Sequence, residues 1–262
     1  MGGWLHHLSQ VWILFGLLAA MFAAEALGRR EGHKHREYGG PDARSQVGAL
    51  EGAALGLLAL LLGFTFSMAA LRFDARRELT QKEANAIGTA LLRTELVAEP
   101  EQSALKQLLV RYVDARIEFY DAGFEGAKFA AVTAKAERMH AEIWRHAVAA
   151  ARRDPGPTTA LLVSALNDMI DLHGARVAAL YNNVPDAVIW FLLVLSVLAV
   201  GIAGYASGVS NARYWPATFI VILLVASVVM VIIDLDRPRR GLIRAGQPAM
   251  LELQRSLKPT AH

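Results

Sequence analysis

Apolar residues fall in four runs separated by polar, charge-bearing stretches: Trp4 to Leu27, Val47 to Leu71, Pro185 to about Ser207, and Pro216 to Ile233. A hydrocarbon core of about 30 Å is crossed by roughly 20 residues of helix. A spanning backbone must satisfy its own hydrogen bonds, so each run predicts a transmembrane helix. Pro41 and Ser45 lie where the second helix can begin, and Pro185 and Pro216 where the third and fourth can, because the first helical turn needs no proline N–H. The short 207–213 connection makes the last two spans antiparallel neighbours. Trp190, Tyr214 and Trp215 suit an interfacial aromatic belt. The first run also admits a signal-peptide reading, with Ala24-Glu25-Ala26 as the cleavage pattern. Its length and the lack of Lys or Arg in the first ten residues favour an uncleaved helix.

Between residues 72 and 184 the apolar positions recur at helical spacing, as in Leu105, Leu108, Leu109, Tyr112, Val113, Ile117 and Tyr120, and again in Leu162, Leu166, Met169, Ile170, Val177 and Leu180. Pro100 suits a helix start, Gly123 and Gly126 a break, Asp154-Pro155-Gly156-Pro157 a turn, and Thr158 a cap. Three helices are therefore predicted here. No proline falls between Gln46 and Glu99, so the second membrane helix is expected to run on to about Leu96, roughly 75 Å at 1.5 Å per residue. The resulting fold class is an all-α polytopic membrane protein with four transmembrane helices. Residues 1–71 hold the first two spans, 72–184 a helical soluble insert, 185–234 the last two spans, and 235–262 a short basic tail.

Composition narrows the function. Of 262 residues, 54% are hydrophobic and 19% charged, which excludes a disordered chain. The absence of cysteine removes thiol nucleophiles, disulfides and Cys-ligated metals. Near the membrane, nine Lys and Arg lie on the side of the termini and insert, against six on the other. That balance puts termini and insert in the cytoplasm, although the Arg-rich 28–46 loop argues the other way. The net charge of +3 is accounted for by these juxtamembrane arginines, so nucleic acid is not a predicted partner. No H-E-x-x-H, G-x-S-x-G, Walker A or dinucleotide fingerprint occurs. No enzyme activity, metal or cofactor is expected, and the histidines read as solvated or hydrogen-bonded.

Three groups of residues in or beside the spans could carry function. Gly48, Gly52 and Gly56, followed by Gly63, present small residues at the spacing that lets helices approach closely in lipid. Their partner is either another subunit or the Gly16, Ala20, Ala23 stripe of the first helix. On a different face Glu51, Leu58, Thr65 and Arg72 repeat every seven residues and stack along nearly one line. With Leu61, Phe64 and Met68 they form a candidate pore lining, because intramembrane ionisable groups face protein or water and bulky apolar rings can gate by dewetting. The alternative is snorkelling of Glu51 and Arg72 to the headgroups. Asp234, Asp236 and Arg237 close the fourth span. Carboxylates at a helix C-terminus oppose its dipole and call for a cationic partner, whereas two aspartates are too few for a calcium site.

Several of these stretches resemble the bestrophin-like family of bacterial membrane proteins: Leu62-Gly63-Phe64-Thr65-Phe66-Ser67-Met68-Ala69, Glu83-Ala84-Asn85-Ala86-Ile87-Gly88-Thr89-Ala90 with Arg93, Ala165-Leu166-Asn167-Asp168-Met169-Ile170-Asp171 with Arg176 and Pro185, and Asp234-Leu235-Asp236-Arg237-Pro238 with Gly241-Leu242-Ile243-Arg244. The resemblance covers about residues 47–245. It implies distant similarity to bestrophins, pentameric anion channels with four membrane helices per subunit and a large helical cytoplasmic part. The Arg-Trp-x-Gly signature and the acidic calcium clasp are absent, so calcium gating and chloride selectivity do not carry over. Glu83, Asn85, Arg93, Asn167, Asp171 and Arg176 are polar positions in segments that otherwise pack. They are expected to form a buried inter-helix network or, alternatively, to line a vestibule. The leading expectation is a homo-oligomeric ion channel with the second span around its axis. Its partners are then the lipid bilayer, inorganic ions and further copies of itself, a pentamer on the resemblance alone. Glu51 would favour cations at one mouth and Arg72 anions at the other. A membrane-anchored sensor or scaffold whose insert binds a ligand or protein is the alternative, against which the short tail after Arg244 weighs.

Overall fold

The computed structural model describes residues 10–36, 41–121, 126–210, 215–237 and 246–258. Among these there are only helices: α1 Gln10–Lys34, α2 Pro41–Arg93, a 3-10 turn Thr94–Leu96, α3 Glu101–Asp121, α4 Gly126–Arg153, α5 Pro157–Tyr181, α6 Asp186–Ser210, α7 Trp215–Asp236 and α8 Pro248–Leu257. Four helices are long and apolar enough to cross a membrane, in agreement with the all-α, four-span expectation. Trp4, His6, His7, Gly123, residues 211–214 of the predicted turn and belt, and Pro238 to Arg244 lie outside the described residues.

Several boundaries differ from the sequence reading. Helix α1 continues past Leu27 to Lys34. Its last turns are polar, and an ion pair one turn apart, Lys34 Nζ to Glu31 Oε1 at 2.6 Å, lies on its exposed side. Helix α2 begins at Pro41 instead of Ser45 and is unbroken for 53 residues, so the long second helix is present as predicted. Helix α5 is capped by Gly156 with Pro157 in its first turn, which displaces Thr158 from the capping role. The supposed basic tail contains α8.

The chain divides into two compact units: residues up to Leu71 with 183–237, and residues 72–182 with α8. In the first unit α1 runs along α6. Glycines allow it: a Cβ on Gly28 would meet the Gly201 carbonyl and the Tyr205 amide, one on Gly204 the backbone of Glu25, and one on Gly208 the backbone of Arg29 and Gly32. Small residues at this contact let the two backbones touch, the usual means of helix association where lipid provides no hydrophobic drive. Helix α7 joins α1 and α6, with the Phe22 and Phe219 rings stacked at 5.9 Å. The predicted pairing of the third and fourth spans is thus secondary to the pairing of the first and third.

The second unit is a helical bundle. Ile87 of α2, Leu105, Leu109 and Tyr112 of α3, Ile143 of α4, Leu162, Leu166 and Met169 of α5 and Met250 of α8 are all fully buried in one core. Burial of each such aliphatic side chain is worth about 1.5–3 kcal/mol. Helix α8 belongs to this core because Met250, Leu253 and Leu257 share one face, and its Gln254 side chain donates to Asp114 Oδ1 at 2.7 Å. Arg76, read from sequence as a juxtamembrane charge, is buried and donates to the carbonyls of Ala179 at 3.1 Å and Asn182 at 3.0 Å. It thereby satisfies orphan acceptors at the C-terminal end of α5.

Candidate pore helix and buried charge cluster

The membrane portion of α2 has one buried and one open side. Leu58, Leu62, Thr65 and Ala69, at alternating spacings of four and three, are buried within the first unit. The Thr65 hydroxyl donates to the Leu61 carbonyl one turn back, at 2.7 Å. Two turns before Leu58, Glu51 lines a cavity of about 350 Å³ bounded by α2, α6 and α7, with Arg44 at the same helix face and Ser207, Ser210 and Thr218 opposite. The predicted heptad stripe is therefore turned into the subunit: Leu58 and Thr65, only 2% and 3% exposed, are covered by the subunit's own helices. Leu61 and Met68 are half-buried at its margin, and Phe64 points away from it, 63% exposed. Arg72 is half-buried and belongs to the second unit.

Gly48 lines the same cavity as Glu51. A Cβ on Gly48, Gly52, Gly56 or Gly63 would meet nothing within 4 Å, and the same holds for Gly16, so none of these glycines makes a close contact with α1 inside the subunit. The helix–helix contact through small residues is made instead by Gly28 and Gly32 with Gly201, Gly204 and Gly208. The sequence carries that pattern as G-x-x-x-G in α1 and G-x-x-G-x-x-x-G in α6, beside the longer glycine series of α2. On α2, Leu57, Leu60, Phe64 and Phe66 stand exposed around the glycines.

At the end of α7 both Asp234 and Asp236 are buried. Asp236 Oδ1 accepts a hydrogen bond of 2.7 Å from the Val184 amide just before α6. A backbone N–H, in addition to any cation, therefore answers the carboxylate, and it ties the end of α7 to the start of α6. Among the described residues no group of three or more His, Cys, Asp or Glu is arranged to hold a metal.

The core of the insert holds a polar cluster in which Glu83, Tyr112 and Arg116 are fully buried and His140 lies at the half-buried edge. Glu83 of α2 is met by two guanidinium groups. Arg116 Nε lies 2.6 Å from its Oε1, Arg116 Nη2 donates to Oε2 at 3.1 Å, and Arg176 Nη1 donates to Oε2 at 2.6 Å. The Tyr112 hydroxyl donates to Glu83 Oε1 at 3.4 Å and is itself 2.9 Å from His140 Nε2. The His140 and His173 rings meet edge to face at 4.8 Å, and the Arg116 guanidinium sits 4.3 Å over the Phe119 ring. Burial opposes charge on Glu83, but Arg116 and Arg176 outweigh it and hold the carboxyl below its ordinary range. Burial, reinforced by the Arg116 charge, lowers His140 to about 4 and His173 to about 3, so both imidazoles are neutral at physiological pH. Burial beside Glu83 raises the Tyr112 phenol.

A family model described as the Bestrophin-like domain matches residues 15–250 of this sequence. The chain belongs to the bestrophin-like family. Two variants of a bacterial bestrophin homologue from Klebsiella pneumoniae share its fold. The TM-scores are 0.69 and 0.67 at 15% and 14% identity, and the matches cover 96% and 92% of this chain and 97% of each of theirs. No protein of curated function matches by sequence. This bestrophin-like chain thus has the fold of the bacterial bestrophin homologue, with four helices among the described residues long and apolar enough to cross a membrane.

Of the six polar positions named in the bestrophin-like insert, Glu83 and Arg176 form an ion pair in the core. Asn85 is exposed, and Asn167 donates to Asp171 at 2.9 Å on the exposed side of α5, so these three do not belong to a buried network. Arg93 donates to the Leu161 carbonyl at 2.6 Å. Arg116, Tyr112, His140 and His173 were missed. Tyr112 sits in the apolar stripe of α3, and Arg116, which follows it by one turn on the same helical face, is the sequence signal for the cluster.

Proposed function

We propose that this chain is one subunit of a homo-oligomeric ion channel of the bacterial inner membrane, with α2 around the axis and the helical insert and termini in the cytoplasm. The observation that carries the proposal is the open face of α2. A helix that faces lipid has no use for a row of glycines, whereas close approach to another helix does, and nothing in the subunit fills the space beside Gly52, Gly56 and Gly63. Beside them Leu57, Leu60, Phe64 and Phe66 offer the bulky apolar side chains from which a dewetting constriction is built. The pore-facing set is accordingly centred on Phe64 and the half-buried Leu61 and Met68. Leu58 and Thr65 support the helix from behind, and Glu51 opens onto the cavity among α2, α6 and α7. Membership of the bestrophin-like family and likeness to bestrophin structures favour this reading over an anchored scaffold.

The test is ion flux into liposomes containing the purified protein, with native mass spectrometry to count subunits. Phe64→Ala is expected to raise flux and Phe64→Trp to change it, with subunit number preserved. A monomer without flux across mild detergents and lipid mixtures refutes the channel reading. Because the chain has no cysteine, single cysteines at Lys82 and Lys34 can report the side of each loop by impermeant labelling. Lys82 is expected to react only from the cytoplasmic side.

A further inference from the structure

A carboxylate in the membrane unit stands without a counter-charge. Glu51 lies half-buried in the spanning part of α2, and among the described residues nothing donates to it or pairs with it. An ionisable group in a spanning helix is costly unless water or an opposite charge meets it. The nearest cation along its helix, Arg44, is about 10.5 Å away along the axis and exposed.

Glu51 faces a space. The cavity among α2, α6 and α7 measures about 350 Å³, at the lower end of the roughly 300–1,000 Å³ of small-molecule sites. Val200 and Ile222, both buried, together with Leu55, Ala203 and Val221 give it aliphatic walls. On the same lining the Ser210 hydroxyl spends its hydrogen on the Ala206 carbonyl at 2.9 Å, which leaves its oxygen as an acceptor. Gly48 keeps the space open, since a Cβ there would meet nothing within 4 Å. The cavity thus joins a negative charge and an acceptor to aliphatic surface.

We propose that this cavity binds a primary ammonium group carried on a short alkyl chain, with the ammonium on Glu51 and Ser210 and the chain against Val200, Val221 and Ile222. An ammonium brings three N–H donors and the missing positive charge. An inorganic cation would exchange its water shell for aliphatic walls, and among the described residues no group of three or more His, Cys, Asp or Glu is arranged to hold a metal. A carboxylate or phosphate would meet Glu51 as a like charge. The amine comes from solution or from an aminophospholipid headgroup. The site is independent of whether α2 conducts.

The experiment titrates butylammonium chloride into the full-length protein in phosphatidylcholine nanodiscs by isothermal titration calorimetry, with empty discs as the blank. Choline headgroups carry no N–H and do not compete. Saturable binding of one amine per subunit is expected, tightening about fourfold for each methylene from ethylammonium to butylammonium, the ~0.8 kcal/mol of a buried CH₂. Glu51→Gln removes the charge at nearly constant shape and is expected to weaken binding by about tenfold or more. Gly48→Leu fills the cavity without altering Glu51, at a position with room for a Cβ, and is expected to abolish binding. The same titration in discs containing phosphatidylethanolamine separates the two sources: a fall in apparent affinity assigns the site to the headgroup, and an unchanged affinity to a soluble amine. Heats no larger than those of empty discs, or Glu51→Gln and Gly48→Leu proteins that bind as the parent does, overturn the proposal.

Discussion

Gly204→Ala and Gly52→Ala are the same chemical change in two membrane helices, and the structure predicts opposite outcomes. A Cβ on Gly204 would lie 2.9 Å from the Glu25 Cα and closer still to the Glu25 carbonyl oxygen. Carbon atoms rest about 3.5–4.0 Å apart, so α1 and α6 must part by roughly 0.6–1 Å. The obstacle is backbone, which cannot swing aside as a long side chain would, and the shift also loosens the contacts of Gly28 and Gly208. Overpacking of this kind costs about 1–3 kcal/mol, against a gain of up to ~1 kcal/mol from alanine's better helix propensity. The expected net loss is about 1–2 kcal/mol. At Gly52 a Cβ meets nothing within 4 Å, so only the propensity gain applies and the isolated subunit should be stabilised by up to ~1 kcal/mol. Equilibrium unfolding in mixed micelles measures both. A Gly204→Ala protein as stable as the parent refutes the close α1–α6 contact. If Gly52→Ala stabilises the subunit yet shifts native mass spectra towards smaller assemblies, the open face of α2 is the subunit contact.

Three further outcomes follow from the insert and from the end of α7. Glu83→Gln strands two guanidinium groups and should cost about 3–5 kcal/mol, visible as a large loss in the denaturant midpoint; a loss below about 1 kcal/mol would mean that the cluster is solvated. His140 and His173 are held near 4 and 3 in the folded protein, below the ordinary 6.5 or so of the unfolded chain. The unfolded state then binds more protons than the folded state between those limits. Stability is complete above about 6.5 and falls as pH drops towards 4, by up to ~1.4 kcal/mol per pH unit for each histidine, and His173→Leu should flatten that slope. Asp236→Ala leaves the buried Val184 amide without its acceptor and should destabilise the protein by roughly 1–3 kcal/mol, with faster hydrogen exchange at Val184 as its signature.

The elements of this fold were legible because each depends on neighbours in sequence. Runs of about 20 apolar residues and a proline-free stretch after Gln46 are one-dimensional signals, and they predicted four spans, a long second helix and a three-helix insert. Helix α8 was missed although Met250, Leu253 and Leu257 carry its periodicity, because ten residues in a polar tail offered little else to notice. Which side of a helix is covered is a different kind of fact. The heptad of Glu51, Leu58 and Thr65 and the glycines of α2 both announce special faces. Only the packing of α6 and α7 decides that the first is turned into the subunit and the second left open. In the insert, Glu83 and Arg176 were visible as polar residues in packing segments, but Arg116 enters the cluster only when α3 lies beside both. Its distance along the chain from Glu83 and Arg176 hid what a single buried carboxylate could not balance alone. Sequence by itself determined the four apolar spans, the long second helix and the three helices of the insert, since hydrogen bonding and burial within a helix are local. Tertiary structure decided which small residues touch, which stay free and which charges share one space, since those depend on where distant helices come to rest.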